Sequence, residues 1–81
     1  MADFQIEHQP AQSRFVLRRD NKECVLDYRL SGAWIDFTHT YVPFALRGQG
    51  LAEALVKEGL AWARAQNYQL TASCWYVQKF L

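Results

Sequence analysis

Charge of one sign is what this chain most plainly lacks. Nine Lys+Arg stand against eight Asp+Glu, a formal net charge of +1, and only Arg18 and Arg19 adjoin among the basic residues. Neutralising the phosphates of a nucleic acid needs a basic face, so no nucleic-acid partner is expected. Cysteine is scarce too. Cys24 and Cys74 are the only two and lie far apart. That spacing is neither a zinc pattern nor a redox pair, and no metal site is expected. No apolar run approaches the length of a membrane span, and Asp3, Glu7 and His8 interrupt the apolar residues near Met1. Neither membrane association nor a secretory leader is expected. These absences lead to the expectation of a soluble cytoplasmic protein with two free thiols.

What is present is a core. The 81 residues are expected to form one domain, 1–81, with 51% hydrophobic and 15% aromatic side chains. A chain this short buries a modest share of its surface, but that composition opposes disorder.

Residues 3–8 alternate Phe4 and Ile6 with polar residues, the period of a strand. Residues 9–13 read as a turn and 14–19 as a second strand, apolar on both faces at its centre. Asp20-Asn21-Lys22 marks a hairpin into a third strand over 23–30, where Cys24, Leu26, Tyr28 and Leu30 share a face. Ser31-Gly32 leads to a fourth strand over 33–42. Strict alternation there puts Ile35, Phe37, His39 and Tyr41 on one face and Trp34, Asp36, Thr38, Thr40 and Val42 on the other. Pro43 ends the ladder, having no N–H.

After Gly50 the period changes. Leu51, Leu55, Gly59 and Trp62 fall on one stripe, flanked by Ala52, Val56, Leu60 and Ala63, with Glu53, Lys57 and Arg64 opposite. That is an amphipathic helix. Glu53 and Lys57 are correctly ordered for an i,i+4 pair, and Asn67 suits a left-handed cap. Residues 69–73 read as a fifth strand, and 74–81 as a last short helix or tail. A four-strand meander followed by a strand–helix–strand crossover gives an α+β fold with a mixed, mainly antiparallel sheet, its fifth strand parallel to the fourth.

The turn Arg47-Gly48-Gln49-Gly50 joins the fourth strand to the helix. A helix start offers N–H groups without partners at the positive end of the macrodipole. Glycine lets φ become positive and lets an oxygen approach the backbone. Gly48 and Gly50 therefore allow N–H groups to converge on an anion, Arg47 adds charge, and Ala52 leaves room on the first turn. The glycine spacing is not a dinucleotide fingerprint, and the Lys-Ser/Thr of a Walker A loop is missing.

The wider stretch is more specific. His39-Thr40-Tyr41-Val42-Pro43, then Leu46-Arg47-Gly48-Gln49-Gly50-Leu51-Ala52, then Leu55-Val56 and Ala61-Trp62-Ala63-Arg64 resemble the GCN5-related N-acetyltransferase (GNAT) superfamily, in its minimal single-domain branch. The resemblance runs from about Thr38 to Leu81; the N-terminal half matches in strand order without a diagnostic motif. It implies acetyl-CoA or coenzyme A as cofactor, with Arg47, Gly48, Gln49 and Gly50 clasping the pyrophosphate. Leu51 and Ala52 would form the first helical turn beside it, and Tyr41 and Val42 would line the pantetheine arm. The branch also carries a Cys-x-x-Val run after the fifth strand, matched by Cys74-Trp75-Tyr76-Val77. Relatives commonly have Glu at the position of Tyr41, so the resemblance implies no carboxylate base there. The 9–13 connection is too short for the helices that shape the acceptor site of larger relatives, which implies an open acceptor side.

The function expected is acetyl transfer to an amine, including one carried by a protein or another large substrate. A coenzyme A-binding protein with little or no transferase activity, and a small interaction module with an unoccupied phosphate turn, are the alternatives. Three side chains are candidates for the chemistry. His39 suits a base, since histidine changes charge near neutral pH; its alternative is a core-edge histidine bonded to a neighbouring strand. Cys74 ends the strand expected to splay from the fourth. It would accept the acetyl group covalently or shape the pocket beside the thioester. Tyr76 is a candidate for protonating the leaving thiolate. Of the rest, Trp62 and the helix leucines are assigned to the core, and His8 is assigned nothing.

Overall fold

The structure is a computed structural model and describes residues 5–81. The expected strand positions at Asp3 and Phe4 lie outside that range. The elements run β1 (Gln5–Gln9), a 3-10 turn (Pro10–Gln12), β2 (Arg14–Arg19), β3 (Lys22–Ser31), β4 (Trp34–Tyr41), a second 3-10 turn (Phe44–Leu46), α1 (Leu51–Ala65), β5 (Gln69–Ala72) and α2 (Trp75–Gln78). The sheet order is β1-β2-β3-β4-β5. The first four strands are antiparallel neighbours, and β5 runs parallel to β4.

The turn chemistry explains the meander. Asp20 and Asn21 both take positive φ, 54° and 62°. That is the backbone of a two-residue hairpin whose twist matches its strands, and Asp and Asn tolerate it. Asn67 is left-handed, φ 63°, just past α1, and turns the chain into β5.

One side of the sheet holds the core. Leu17, Cys24, Leu26, Tyr28, Ile35 and Phe37 pack there against Leu51, Leu55, Val56, Leu60 and Ala63 of α1. Leu30, assigned to the same face, is 42% exposed near the end of β3. Gly59 brings α1 close. A Cβ at that position would lie 2.7 Å from Leu26 Cδ2 and 3.2 Å from Phe37 Cε1. Glycine in a helix costs about 1 kcal/mol relative to alanine; here it buys the short distance between helix and sheet.

An aromatic cluster closes the far end of this layer. The His8 ring stacks on Phe15 at 4.1 Å and meets Trp62 edge-on at 4.5 Å. Its Nε2 lies 2.7 Å from the Tyr28 hydroxyl. Burial lowers the His8 pKa, so the ring favours its neutral form and shares a hydrogen bond with the Tyr28 hydroxyl. His8 thus has a structural role that no neighbouring residue in the sequence announces.

The alternation expected in β4 fails at one point. Tyr28 pairs with Phe37, but the preceding Asp27 pairs with His39, so Thr38 is an extra residue in β4. This β-bulge resets the phase of everything after it. Thr40 lies opposite Leu26 and shares the core side, while His39 and Tyr41 lie opposite Asp27 and Val25 on the open side. His39 and Tyr41 therefore do not share the face of Phe37, and Thr40 and Val42 do not lie on the face of Asp36.

Candidate functional site

The bulge also marks where β4 and β5 separate. Their parallel register runs from Trp34↔Gln69 to Phe37↔Ala72, and the Cys74 N–H still donates to the Phe37 carbonyl at 3.1 Å. Beyond Phe37, β5 has ended and the chain turns into α2. The edge of β4 over 38–41 then borders a cavity of about 730 Å³ rather than a strand.

Most residues singled out in the sequence meet in that cavity. Its walls include His39, Tyr41, Val42, Arg47, Gly48, Gly50, Leu51, Ala52, Cys74 and Tyr76. Gln49 is exposed and is not among the lining residues. Thr38, Thr40, Leu46, Glu53, Ser73 and Trp75 also line it; sequence reasoning assigns none of them to the site. The Cys-x-x-Val run points to the segment containing Trp75. Thr40 was hidden because alternation puts it on the wrong face.

The glycine turn has the geometry expected of it. Gly48 and Gly50 take φ of 81° and 76°, and a Cβ built at either would meet nothing within 4 Å. Their role is conformational: the positive φ strains any residue with a Cβ, while the space beside them stays open. The Ala54 N–H donates to the Gly50 carbonyl at 3.1 Å, so the N–H groups of Leu51, Ala52 and Glu53 precede the helical ladder. Arg47 Nε donates to the Val42 carbonyl at 3.0 Å, and its guanidinium lies 5.8 Å from the Phe44 ring centre. These contacts hold the cation beside the turn. The arrangement suits an anion. Glu53 opposes it in part, and Lys57 Nζ, 3.1 Å from the Glu53 carboxylate, offsets that charge.

At the other end of the cavity the Cys74 sulfur lies 3.6 Å from Thr40 Oγ1. Burial pushes this thiol up, but hydrogen bonds from the Thr40 hydroxyl and from the backbone N–H groups of Val77, Tyr76 and Thr40 together outweigh it. The net result is a thiol held below its usual value, the condition for a reactive thiolate. Cys24 is the contrast: fully buried in the core, its thiol is pushed up by burial. Tyr76 is raised by burial and by the charge of Glu53, so its phenol keeps its proton at neutral pH. His39 is exposed on the open side of the sheet and still borders the cavity.

Among the described residues no three His, Cys, Asp or Glu side chains group as metal ligands, and no helix is long and apolar enough to cross a membrane.

Comparison with known proteins bears on the family and the fold. The family model described as GCN5-related N-acetyl-transferase matches residues 14–81, so the likeness begins well before the motif-bearing stretch. Protein NATD1 of Gallus gallus is 35% identical over 81 residues, covering 96% of this chain and 74% of that protein. Protein NATD1 of Xenopus tropicalis is 30% identical over 83 residues, covering 99% of this chain and 76% of that protein. The NMR solution structure of a GCN5-like protein from Staphylococcus aureus superposes with a TM-score of 0.74 at 28% identity, covering 99% of this chain and 79% of the other.

Proposed function

The chain belongs to the GCN5-related N-acetyltransferase family, and on that premise we propose that it binds acetyl-CoA and transfers the acetyl group to an amine. One observation carries the proposal: a single cavity joins the positive-φ glycine turn, the unpaired edge of β4 and the Cys74 thiol. The open backbone at Gly48 and Gly50 fits a pyrophosphate, since no side chain obstructs the turn. Arg47, Gly48, Gly50, Leu51 and Ala52 would hold that group, with Gln49 only the exposed link between the glycines, and Tyr41 and Val42 would line the pantetheine arm. Acetyl-CoA supplies an activated acetyl thioester.

The remaining chemistry falls to the chain. The edge of β4 and the N–H groups around Cys74 hold the reacting end and offer donors to a developing oxyanion. Tyr76, kept protonated, donates to the departing thiolate. His39 takes a proton from the amine. Two roles stand for Cys74. It walls the acyl pocket, or its sulfur bonds the acetyl carbon as the coenzyme A sulfur leaves and then yields the acetyl group to the amine. The lowered thiol favours the second role. Mass analysis after incubation with acetyl-CoA separates the two, by a single added acetyl group on Cys74 or none.

The direct test is thermal. Acetyl-CoA at about 100 times its Kd adds roughly 2.7 kcal/mol, and in a chain this small raises Tm by roughly 10 °C or more. Adenosine alone leaves it unchanged. A melting curve that does not move in millimolar acetyl-CoA refutes the proposal, and a thiol-release assay over a panel of amines separates an enzyme from a coenzyme A binder.

A further inference from the structure

The geometry points to a binding subsite for a primary ammonium group at Ser73, with the Asp36 carboxylate behind it. Asp36 sits in the last part of β4 that has a strand on each edge, paired with Arg29 and Thr71 on the open side of the sheet. Ser73 Oγ donates to Asp36 Oδ2 at 2.7 Å, and the Thr71 hydroxyl shares its one proton between Asp36 Oδ1 at 3.1 Å and the Ile35 carbonyl at 3.0 Å. A serine hydroxyl has one proton. With that proton committed to Asp36, Ser73 presents only lone pairs to the cavity it lines. An oxygen that can only accept, backed by a carboxylate, repels a phosphate or a carbonyl oxygen. It fits a donor that carries positive charge.

The neighbouring residue gives the subsite its place in the reaction. Ser73 bonds Asp36 on the open side, whereas Cys74 meets Thr40 on the core side, where α1 and its glycine turn also lie. An ammonium held at Ser73 therefore approaches from the opposite side of the sheet to the group on the turn, one residue away from Cys74. Arg29 is exposed on the same face and weakens the pull of Asp36, so the subsite orients the amine more than it holds it. Ser73 is the residue that touches the acceptor, and Asp36 is its positioning residue. The chemical class is a primary ammonium, from a lysine side chain or a chain N-terminus. Its place in acetyl transfer rests on the function proposed above; its existence as a cation site does not.

The test is a backbone amide NMR titration of the whole chain, free and with coenzyme A. Its probes are Nα-acetyl-lysine methylamide, alaninamide and the uncharged Nα-acetyl-norleucine methylamide. An ammonium probe produces saturable shifts at Ser73 and Cys74; the norleucine probe does not. The tighter of the two ammonium probes identifies the source of the amine. Asp36→Asn and Ser73→Ala each weaken the ammonium probe about 10-fold and leave coenzyme A affinity unchanged. Thr71→Val removes another tie to the same carboxylate but none of the cavity wall, and leaves probe affinity within about twofold. No shift at Ser73 from either ammonium probe, or equal binding of the norleucine probe, overturns the inference. A loss in Thr71→Val equal to that in Ser73→Ala also overturns it, since the carboxylate would then only tie β5 to β4. If coenzyme A fails to bind, the acetyl-transfer proposal fails while the titration of the free chain still reads the subsite.

Discussion

Along β4, residues 34–37 have a strand on each edge, while residues 38–41 have β3 on one edge and a cavity on the other. The first stretch contributes Ile35 and Phe37, both at 0% exposure, to the core. The second contributes Thr38, His39, Thr40 and Tyr41 to the cavity. One extra residue, Thr38, separates the two behaviours. A strand can thus serve as scaffold and site in turn, provided its pairing is interrupted at a defined residue. Substitutions in the first half should cost stability, and those around the second should cost ligand.

The largest effect belongs to the scaffold half. Phe37→Ala leaves a cavity under Gly59 and should cost about 3–5 kcal/mol, read as a fall in the urea midpoint. Tyr41→Ala, at a residue 46% exposed, should stay within about 0.5 kcal/mol. Equal losses at the two positions would erase the distinction. Next comes the turn facing the open half. Gly50→Val forces a branched residue to positive φ, at about 1–2 kcal/mol, and should abolish the thermal shift by acetyl-CoA. A full shift in the variant would put the phosphate elsewhere.

The two thiols sharpen the contrast further. Cys74 should alkylate at neutral pH and be protected by coenzyme A, while Cys24, at 0% exposure and pushed up by burial, reacts only on unfolding. Faster labelling of Cys24, or no protection of Cys74, contradicts this. Arg47→Ala should weaken cofactor binding less than Gly50→Val does, and the variant should respond less to added salt than the wild type.

How much of this was legible follows from the range of each cause. The Asp20-Asn21 turn, the α1 stripe, the cap at Asn67 and the glycine turn are local, so the residues that cause them sit within a few positions of one another. The bulge is not local. Thr38 becomes surplus only because Asp27 and Tyr28 stay in step on the neighbouring strand. The faces of His39, Thr40, Tyr41 and Val42 differ from strict alternation for that reason. Partnerships between distant residues were hidden in the same way: Thr40 with Cys74, Ser73 with Asp36, His8 with Tyr28.

The last of these gives the smallest predicted effect. The folded His8 has a pKa below its unfolded value near 6.5 because burial disfavours the charged ring. The unfolded chain then binds more protons through that window. Stability is therefore full above about pH 6.5 and declines as pH falls toward the folded value. His8→Phe should flatten this part of the stability profile; an unchanged slope would assign it to other groups.

Gly59 has a consequence at a distance. There α1 rests on the sheet with no Cβ between the helix and Leu26. The glycine turn lies nine residues away along the same rigid rod (59 − 50), roughly 13 Å at about 1.5 Å per residue. The close contact acts as a fulcrum and the turn as the end of the arm. Gly59→Ala would force either the Leu26 side chain or the helix to give way at the fulcrum, and a tilt of the helix about that point would be magnified at Gly50. The distance between the glycine turn and the open edge of β4 thus depends on a residue inside the core.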